Sequence, residues 1–231
     1  MDNGNWEYAV YTQLNQLNHL FWMNPYQKVL GKFFGDVIIL DTCHGKNLYD
    51  YALTTFIVID GDNESRNIGY CLHLYEDEET FTWMFRAMRN ILGTSFPESI
   101  FSDRAPAIEC GIRSIWPDAY HGACLWHLRK NLIEKLGGRL GDAFPTFMQD
   151  FWYVYRRGSP VEFEAAWATL LNTWTAAQTY LKDNIYHDKE KWAWAWVGTH
   201  FAAGTRTTGR VEVEHKVYKA KNMNRGYGIL H

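Results

Sequence analysis

The feature that most constrains this chain is a change of hydrophobic period along its length. Before residue 103 the apolar residues come in short runs rich in β-branched and aromatic side chains: Phe33 to Leu40, Leu53 to Ile59, Ile68 to Tyr75 and Pro97 to Ser102. Glycine or polar turn residues separate them, such as Gly31 inside the approach to the first and Asp60-Gly61-Asp62-Asn63 after the second, so each run reads as a strand. From about residue 142 to 200 that texture is gone. Phe163, Ala166, Trp167, Leu170, Leu171, Trp174, Ala177 and Leu181 recur at three- and four-residue steps, the spacing of one face of an α-helix. Two periods in separate blocks predict a sheet-containing core plus an all-helical block, with Trp167, Leu170, Leu171 and Trp174 inside that block.

The remaining elements follow the same rules. Phe81, Met84, Phe85, Met88 and Ile91-Leu92 predict a helix from Thr80 to Leu92, stopped by Gly93. The acidic run Glu76-Asp77-Glu78-Glu79 suits its amino-terminal turn, where the helix dipole favours carboxylates. Arg104 to Ile115 reads as a helix, Asp118 to Ala123 as a fifth strand, Leu125 to Leu136 as a helix, and Gly209 to Ala220 as a final helix. Residues 1–30 read as a mostly helical, aromatic lead-in ending near the turn-favouring pair Asn24-Pro25. Three strands in succession form an antiparallel meander, and the alternation that follows makes a mixed α/β sheet of five strands. The expected organisation is a lead-in (1–30), a core (31–136 with 205–225) and a helical insertion (137–204).

Composition removes whole classes of function. Hydrophobic residues at 47% and charged residues at 21% of 231 describe a packed globular chain rather than a disordered one. Uninterrupted apolar runs such as Val37-Ile38-Ile39-Leu40 are far below the ~18 residues of a membrane span. No secretory signal is legible at Met1-Asp2-Asn3-Gly4. Cys43, Cys71, Cys110 and Cys124 form no C-x-x-C pair, which suits reduced thiols. The net charge of −3 argues against nucleic-acid binding by bulk charge, so such contacts have to be local. One local basic segment exists: Arg206, Arg210, Lys216, Lys219, Lys221 and Arg225 against Glu212 and Glu214.

Two aspartates stand at strand ends. Asp41 follows Val37-Ile38-Ile39-Leu40, and Asp103 follows Ser99-Ile100-Phe101-Ser102. If those strands are neighbours, the carboxylates converge on one hard cation, and a third acid would complete a site for two ions ~4 Å apart. Glu212 and Glu214 on the last helix are the candidates. A lone strand-end aspartate is more readily a turn former or helix cap than a metal ligand, and Asp103 in particular could cap the helix after it.

Five blocks in order carry a family resemblance. They are Phe34-Gly35-Asp36-Val37-Ile38-Ile39-Leu40-Asp41-Thr42, Glu79-Thr80-Phe81-Thr82-Trp83, Ser102-Asp103-Arg104-Ala105, His121 through Cys124-Leu125-Trp126-His127 to Asn131, and Gly204 through Arg210-Val211-Glu212 to His215. Together they resemble Mutator-like element transposases over about residues 20 to 220. The resemblance implies an RNase H-like fold with an Asp-Asp-Glu triad, interrupted by a helical insertion before the last acid. By motif position the triad is Asp41, Asp103 and Glu212, the Arg210-Val211 pair selecting Glu212 over Glu214. It further implies two Mg²⁺ or Mn²⁺ ions on those carboxylates, cleavage and transfer of DNA strands, transposon ends and target DNA as partners, a homo-oligomer at work, a nuclear setting and no membrane. Cys124 and His127 match the family's Cys-x-x-His signature. The chain departs at Asp41-Thr42-Cys43-His44 and at Glu212-Val213, and it shows neither the amino-terminal nor the carboxyl-terminal zinc motif of full-length relatives.

Smaller signals take their place beside that frame. His121, Cys124 and His127 are spaced by threes, yet three positions on one helix drift around its axis, so a structural or substrate-orienting role for Cys124 and His127 is the better reading than zinc. Arg206, Arg210, Lys216 and Lys219 are equally suited to gripping phosphates and to lining a solvated helix face. Two function classes lead: a metal-dependent transposase catalytic domain, and a domesticated relative like the plant far-red-response transcription factors, regulating through DNA without catalysis. A cellular RNase H-like nuclease acting on RNA–DNA hybrids is the weaker third.

Overall fold

The computed structural model describes residues 5–44, 49–93 and 97–204, and these divide into two compact units. The first holds a seven-stranded mixed sheet with helices. Its chain order is β1 (Glu7–Gln13), β2 (Gln16–Met23), α1 (Pro25–Phe34), β3 (Val37–Cys43), β4 (Ala52–Ile59), β5 (Ser65–His73), α2 (Glu78–Leu92), β6 (Ser99–Ser102), α3 (Pro106–Ile115) and β7 (Tyr120–Ala123), the last crossing into the second unit. The strands lie in the order β1-β2-β5-β4-β3-β6-β7. β3, β4 and β5 form the expected antiparallel meander, and β6 returns parallel to β3 after the α2 crossover. β4 is buried at all eight positions, as its uninterrupted apolar run requires of a central strand.

The helical lead-in and the five-strand count are corrected here. Residues 7–23 are a β-hairpin, which raises the sheet from five strands to seven. Leu14 and Asn15 both have positive φ (51° and 60°), the two-residue turn whose twist matches paired strands. Period two is legible in hindsight: Phe21 and Met23 are fully buried while Tyr8 and Val10 face out. Asn24-Pro25 opens α1 instead of closing a helix. Asn24 and Gln27 cap each other reciprocally, each side chain 2.8 Å from the other's backbone nitrogen, and Pro25 fills the first turn, where no N–H is needed. Phe33 and Phe34 end that helix, so β3 starts only at Val37.

α2 lays Phe81, Met84, Phe85, Met88 and Leu92 against Phe21, Leu40, Phe56 and Val58 from the sheet. Each such large side chain contributes about 2–3 kcal/mol on leaving water. Asp77, in the acidic run, is the N-cap and accepts from the Thr80 amide at 2.9 Å. α3 packs beside α2, contributing Ile108, Ile112 and Ile115.

The second unit spans Gly122–Ala202 and, beyond the end of β7, contains only helices and turns among its described residues. Its longer helices are α4 (Leu125–Leu140), α5 (Phe144–Tyr155), α6 (Pro160–Thr173) and α7 (Gln178–Asn184), followed by the single turns α8 (Lys189–Trp192) and α9 (Trp194–Val197). Trp192, 1% exposed, is the centre of its core. Phe151 stacks on it at 5.2 Å, Phe163 meets it edge-on at 5.6 Å, and its indole N–H donates to Ile185 O at 3.0 Å. Trp167, Leu170 and Leu171 are buried there. Trp174 is only half-buried, because its indole N–H reaches out to the Asp150 carboxylate at 2.9 Å. α4, which the sequence grouped with the sheet core, places Leu128, Leu132 and Leu136 in this helical core.

Candidate functional site

Asp41 lies near the end of β3, and Asp103 immediately follows β6, the parallel neighbour of β3. β3 and β6 run parallel with Val37 opposite Ser99, Ile38 opposite Ile100 and Ile39 opposite Phe101. Asp41 lies two residues beyond Ile39, and Asp103 two beyond Phe101. Two neighbouring parallel strands therefore lead into the two aspartates. The strands carry opposite burdens. Leu40, Phe101 and Ser102 are buried, whereas Asp41 and Asp103 are half-buried, so the carboxylates stand where the core gives way to solvent. Asp103 also makes the local turn its residue type favours: its Oδ1 accepts from the Ala105 amide at 3.0 Å, ahead of α3.

Polar side chains frame this strand end. Thr55 on β4 is directly opposite Asp41. Thr42 and Thr54 hydroxyls are 2.7 Å apart, and Thr54 Oγ1 is 2.8 Å from His73 Nε2. His73 is completely buried, and that burial holds its pKa down at about 4, so the ring is neutral at pH 7. Ser102 Oγ is 2.7 Å from His121 Nε2. His44, just past β3, is 3.2 Å from Glu76. Thr54, His73 and Ser102 were not singled out by sequence reasoning. The available signal was a polar residue at a buried strand phase, His73 two residues after Cys71 and Thr54-Thr55 inside an apolar run.

Two hard carboxylates on adjacent parallel strands are a fitting start for a Mg²⁺ or Mn²⁺ site. Among the described residues no group of three or more His, Cys, Asp and Glu side chains is placed to hold a metal ion. The third triad acid, Glu212, lies outside the described residues, as do Arg206, Arg210, Lys216, Lys219 and the final helix on which they were expected. Cys124 and His127 belong to the second unit. Cys124 is buried at the N-cap position of α4, and His127 is half-buried in its first turn with its ring 4.7 Å from Trp126. His121 sits on β7, so the three residues spaced by threes do not share one helix. A cavity of about 610 Å³ in the first unit is bordered by Tyr11, His19, Glu79, Trp83 and Arg86 and by neither aspartate.

Residues 37–131, from the first residue of β3 into α4, match the MULE transposase domain. Over that span the chain is similar to MULE transposase domains. The matched span contains β3, the meander, β6 and both aspartates. Similarity to curated proteins runs further, through the helical unit. Protein FAR1-RELATED SEQUENCE 5 of Arabidopsis thaliana is 28% identical over 211 residues, 90% of this chain and 27% of that protein. FAR1-RELATED SEQUENCE 6 is 26% identical over 190 residues, 82% of this chain and 27% of that protein, and FAR1-RELATED SEQUENCE 12 is 26% identical over 212 residues, covering 89% and 26%. The chain thus spans about a quarter of the length of the curated relatives it matches.

Proposed function

We propose that this chain is the transposase-derived core of a DNA-linked transcription regulator. The observation that carries this reading is the similarity to FAR1-related sequence proteins over most of the chain, helical unit included. That similarity extends well beyond the 37–131 segment. In such a protein the sheet and the tryptophan-rich unit serve as a scaffold, DNA contact is local, the basic segment Arg206, Arg210, Lys216 and Lys219 meets phosphates, and the setting is the nucleus. Self-association of the chain belongs to the same proposal.

A second reading is metal-dependent DNA strand cleavage and transfer, supported by the parallel pairing of β3 with β6, the strands that lead into Asp41 and Asp103. The strand order β5-β4-β3-β6-β7, a meander followed by a parallel crossover, supports an RNase H-like assignment for the central five strands. Asp41, Asp103 and Glu212 would hold two Mg²⁺ or Mn²⁺ ions, which supply Lewis-acid activation of water and stabilise a leaving 3′-oxygen. Cys124 and His127 would orient substrate or structure.

One experiment separates the two. The full chain, fused to a heterologous DNA-recognition module, is assayed for reporter regulation and for nicking of a terminal-inverted-repeat duplex with Mg²⁺ or Mn²⁺. The regulator reading expects reporter response without nicking, unchanged in Asp41→Asn. Nicking that needs the metal and disappears in Asp41→Asn would overturn it in favour of catalysis.

A further inference from the structure

Each candidate aspartate adjoins a hydroxyl residue, and each hydroxyl is linked to an imidazole elsewhere in the sheet. Thr42 follows Asp41 and reaches His73 through Thr54, over contacts of 2.7 Å and 2.8 Å. Ser102 precedes Asp103 and reaches His121 directly at 2.7 Å. The proton positions follow from what each end of these links can do. Tyr75 O only accepts, so His73 Nδ1, 2.7 Å away, carries the proton. In the neutral ring Nε2 then accepts; Thr54 donates to it, and Thr54 oxygen in turn accepts from Thr42. At the other link Ser102 Oγ donates to the Asp103 carbonyl at 2.7 Å, so it accepts from His121, whose Nε2 is protonated. One imidazole presents a bare Nε2 and the other an Nε2–H.

We propose that His73 and His121 are positioning residues for the Asp41 and Asp103 carboxylates, His73 holding the end of β3 to β4 as an acceptor and His121 holding the end of β6 as a donor. The positioning role rests on the reading of that pair as a cation site; the two links themselves stand on strand geometry. Their opposite polarity makes them respond differently to acid. A second proton on His73 places a charge inside the sheet and reverses both threonine donors, leaving the Thr42 proton without its acceptor. His121 already donates at Nε2 and keeps its bond to Ser102. The groups facing His73 are His19 from β2 and His44 from beyond β3, which oppose its protonation, and Asp77 from the α2 cap, which favours it.

The test is made on the full chain, labelled with ¹⁵N. Two-bond ¹H–¹⁵N imidazole spectra are expected to show a bare Nε2 on His73 and a protonated Nε2 on His121; a protonated His73 Nε2 at pH 7 overturns the proposal without any variant. Amide hydrogen exchange is then compared in Thr54→Val and Ser102→Ala. Thr54→Val is expected to speed exchange at Asp41 and Thr42 by about tenfold, with Ser102 and Asp103 little changed, and Thr54→Ser to restore it. Ser102→Ala is expected to do the reverse. Acceleration spread evenly over the sheet, or none at Asp41, overturns the proposal. Mn²⁺ titration, read as paramagnetic broadening, completes it: weaker binding in Thr54→Val rescued by Thr54→Ser supports positioning. Wild-type protein that shows both links but takes up no Mn²⁺ overturns the cation-site reading, and the positioning role with it, while leaving the links in place.

Discussion

Gly111 of α3 lies against Phe81 of α2 so closely that a Cβ added to it would meet the Phe81 Cβ at 2.9 Å and its carbonyl carbon at 3.0 Å. The two helices approach through the missing side chain, and backbone cannot yield as a flexible side-chain tip can. Gly111→Ala is therefore expected to destabilise the first unit by about 1–3 kcal/mol, seen as a lower urea midpoint with an unchanged slope. Gly138, inside α4 with nothing within 4 Å of its added Cβ, is the control. There the same substitution should stabilise by about 0.5–1 kcal/mol, since only helix propensity changes. Equal effects at both positions would contradict the close α2–α3 approach.

The helical unit depends on one indole. Trp192 touches Phe151, Phe163 and Trp167 rings and satisfies its N–H on Ile185 O. Trp192→Ala leaves a cavity and is expected to cost about 3–5 kcal/mol. Native-state hydrogen exchange checks it: protection should fall in α5 and α6, the helices that carry Phe151, Phe163 and Trp167. Protection there equal to that of the wild type would remove Trp192 from the centre of the unit.

Acid is expected to weaken the first unit through His73. Its pKa is about 4 in the fold, lowered first by burial, against about 6.5 in an unfolded chain. The unfolded state binds the proton more readily, so the contribution is full above pH 6.5 and is lost as pH falls towards 4. The span amounts to about 3 kcal/mol at most. Chemical denaturation at pH 7 and pH 4.5 measures it, and His73→Gln should flatten the difference. A wild-type stability that rises on acidification over this range would refute the sign.

Asp103 allows the structural and the ligand roles to be told apart. Asp103→Ala removes the acceptor for the Ala105 amide ahead of α3 and should cost about 1 kcal/mol. Asp103→Asn keeps that acceptor and should leave stability within about 0.5 kcal/mol, while removing the charge a hard divalent ion needs. Mn²⁺ binding measured calorimetrically is expected to vanish in both, and likewise in Asp41→Asn. Binding retained by Asp103→Asn would reduce Asp103 to a turn former.

Legibility tracked the length scale of the force involved. The runs Leu53–Ile59 and Ile68–Tyr75 and the helix ending at Gly93 emerged within three residues of β4, β5 and α2, and the long apolar stripe from Phe163 to Leu181 fell on α6 and α7, because burial of one face imposes a period that needs no partner to be read. Residues 7–23 did not. Aromatic residues there serve either period, and the positive φ of Leu14 and Asn15, which makes the hairpin, belongs to a turn without glycine. Pairing of β2 with β5 across some fifty residues decided for strand.

For the site, the sequence by itself determined which groups are available: two aspartates at strand ends, in motif order. It could not determine that the strands leading into them are neighbours. That follows from the parallel register of β3 with β6, set by packing of Ile38, Ile39, Ile100 and Phe101 between residues some sixty apart in the chain. Nor could it reveal that His73 is neutral and His121 a donor at Nε2. Those states depend on burial and on hydrogen-bond partners supplied by other strands, which exist only once the sheet has closed around them.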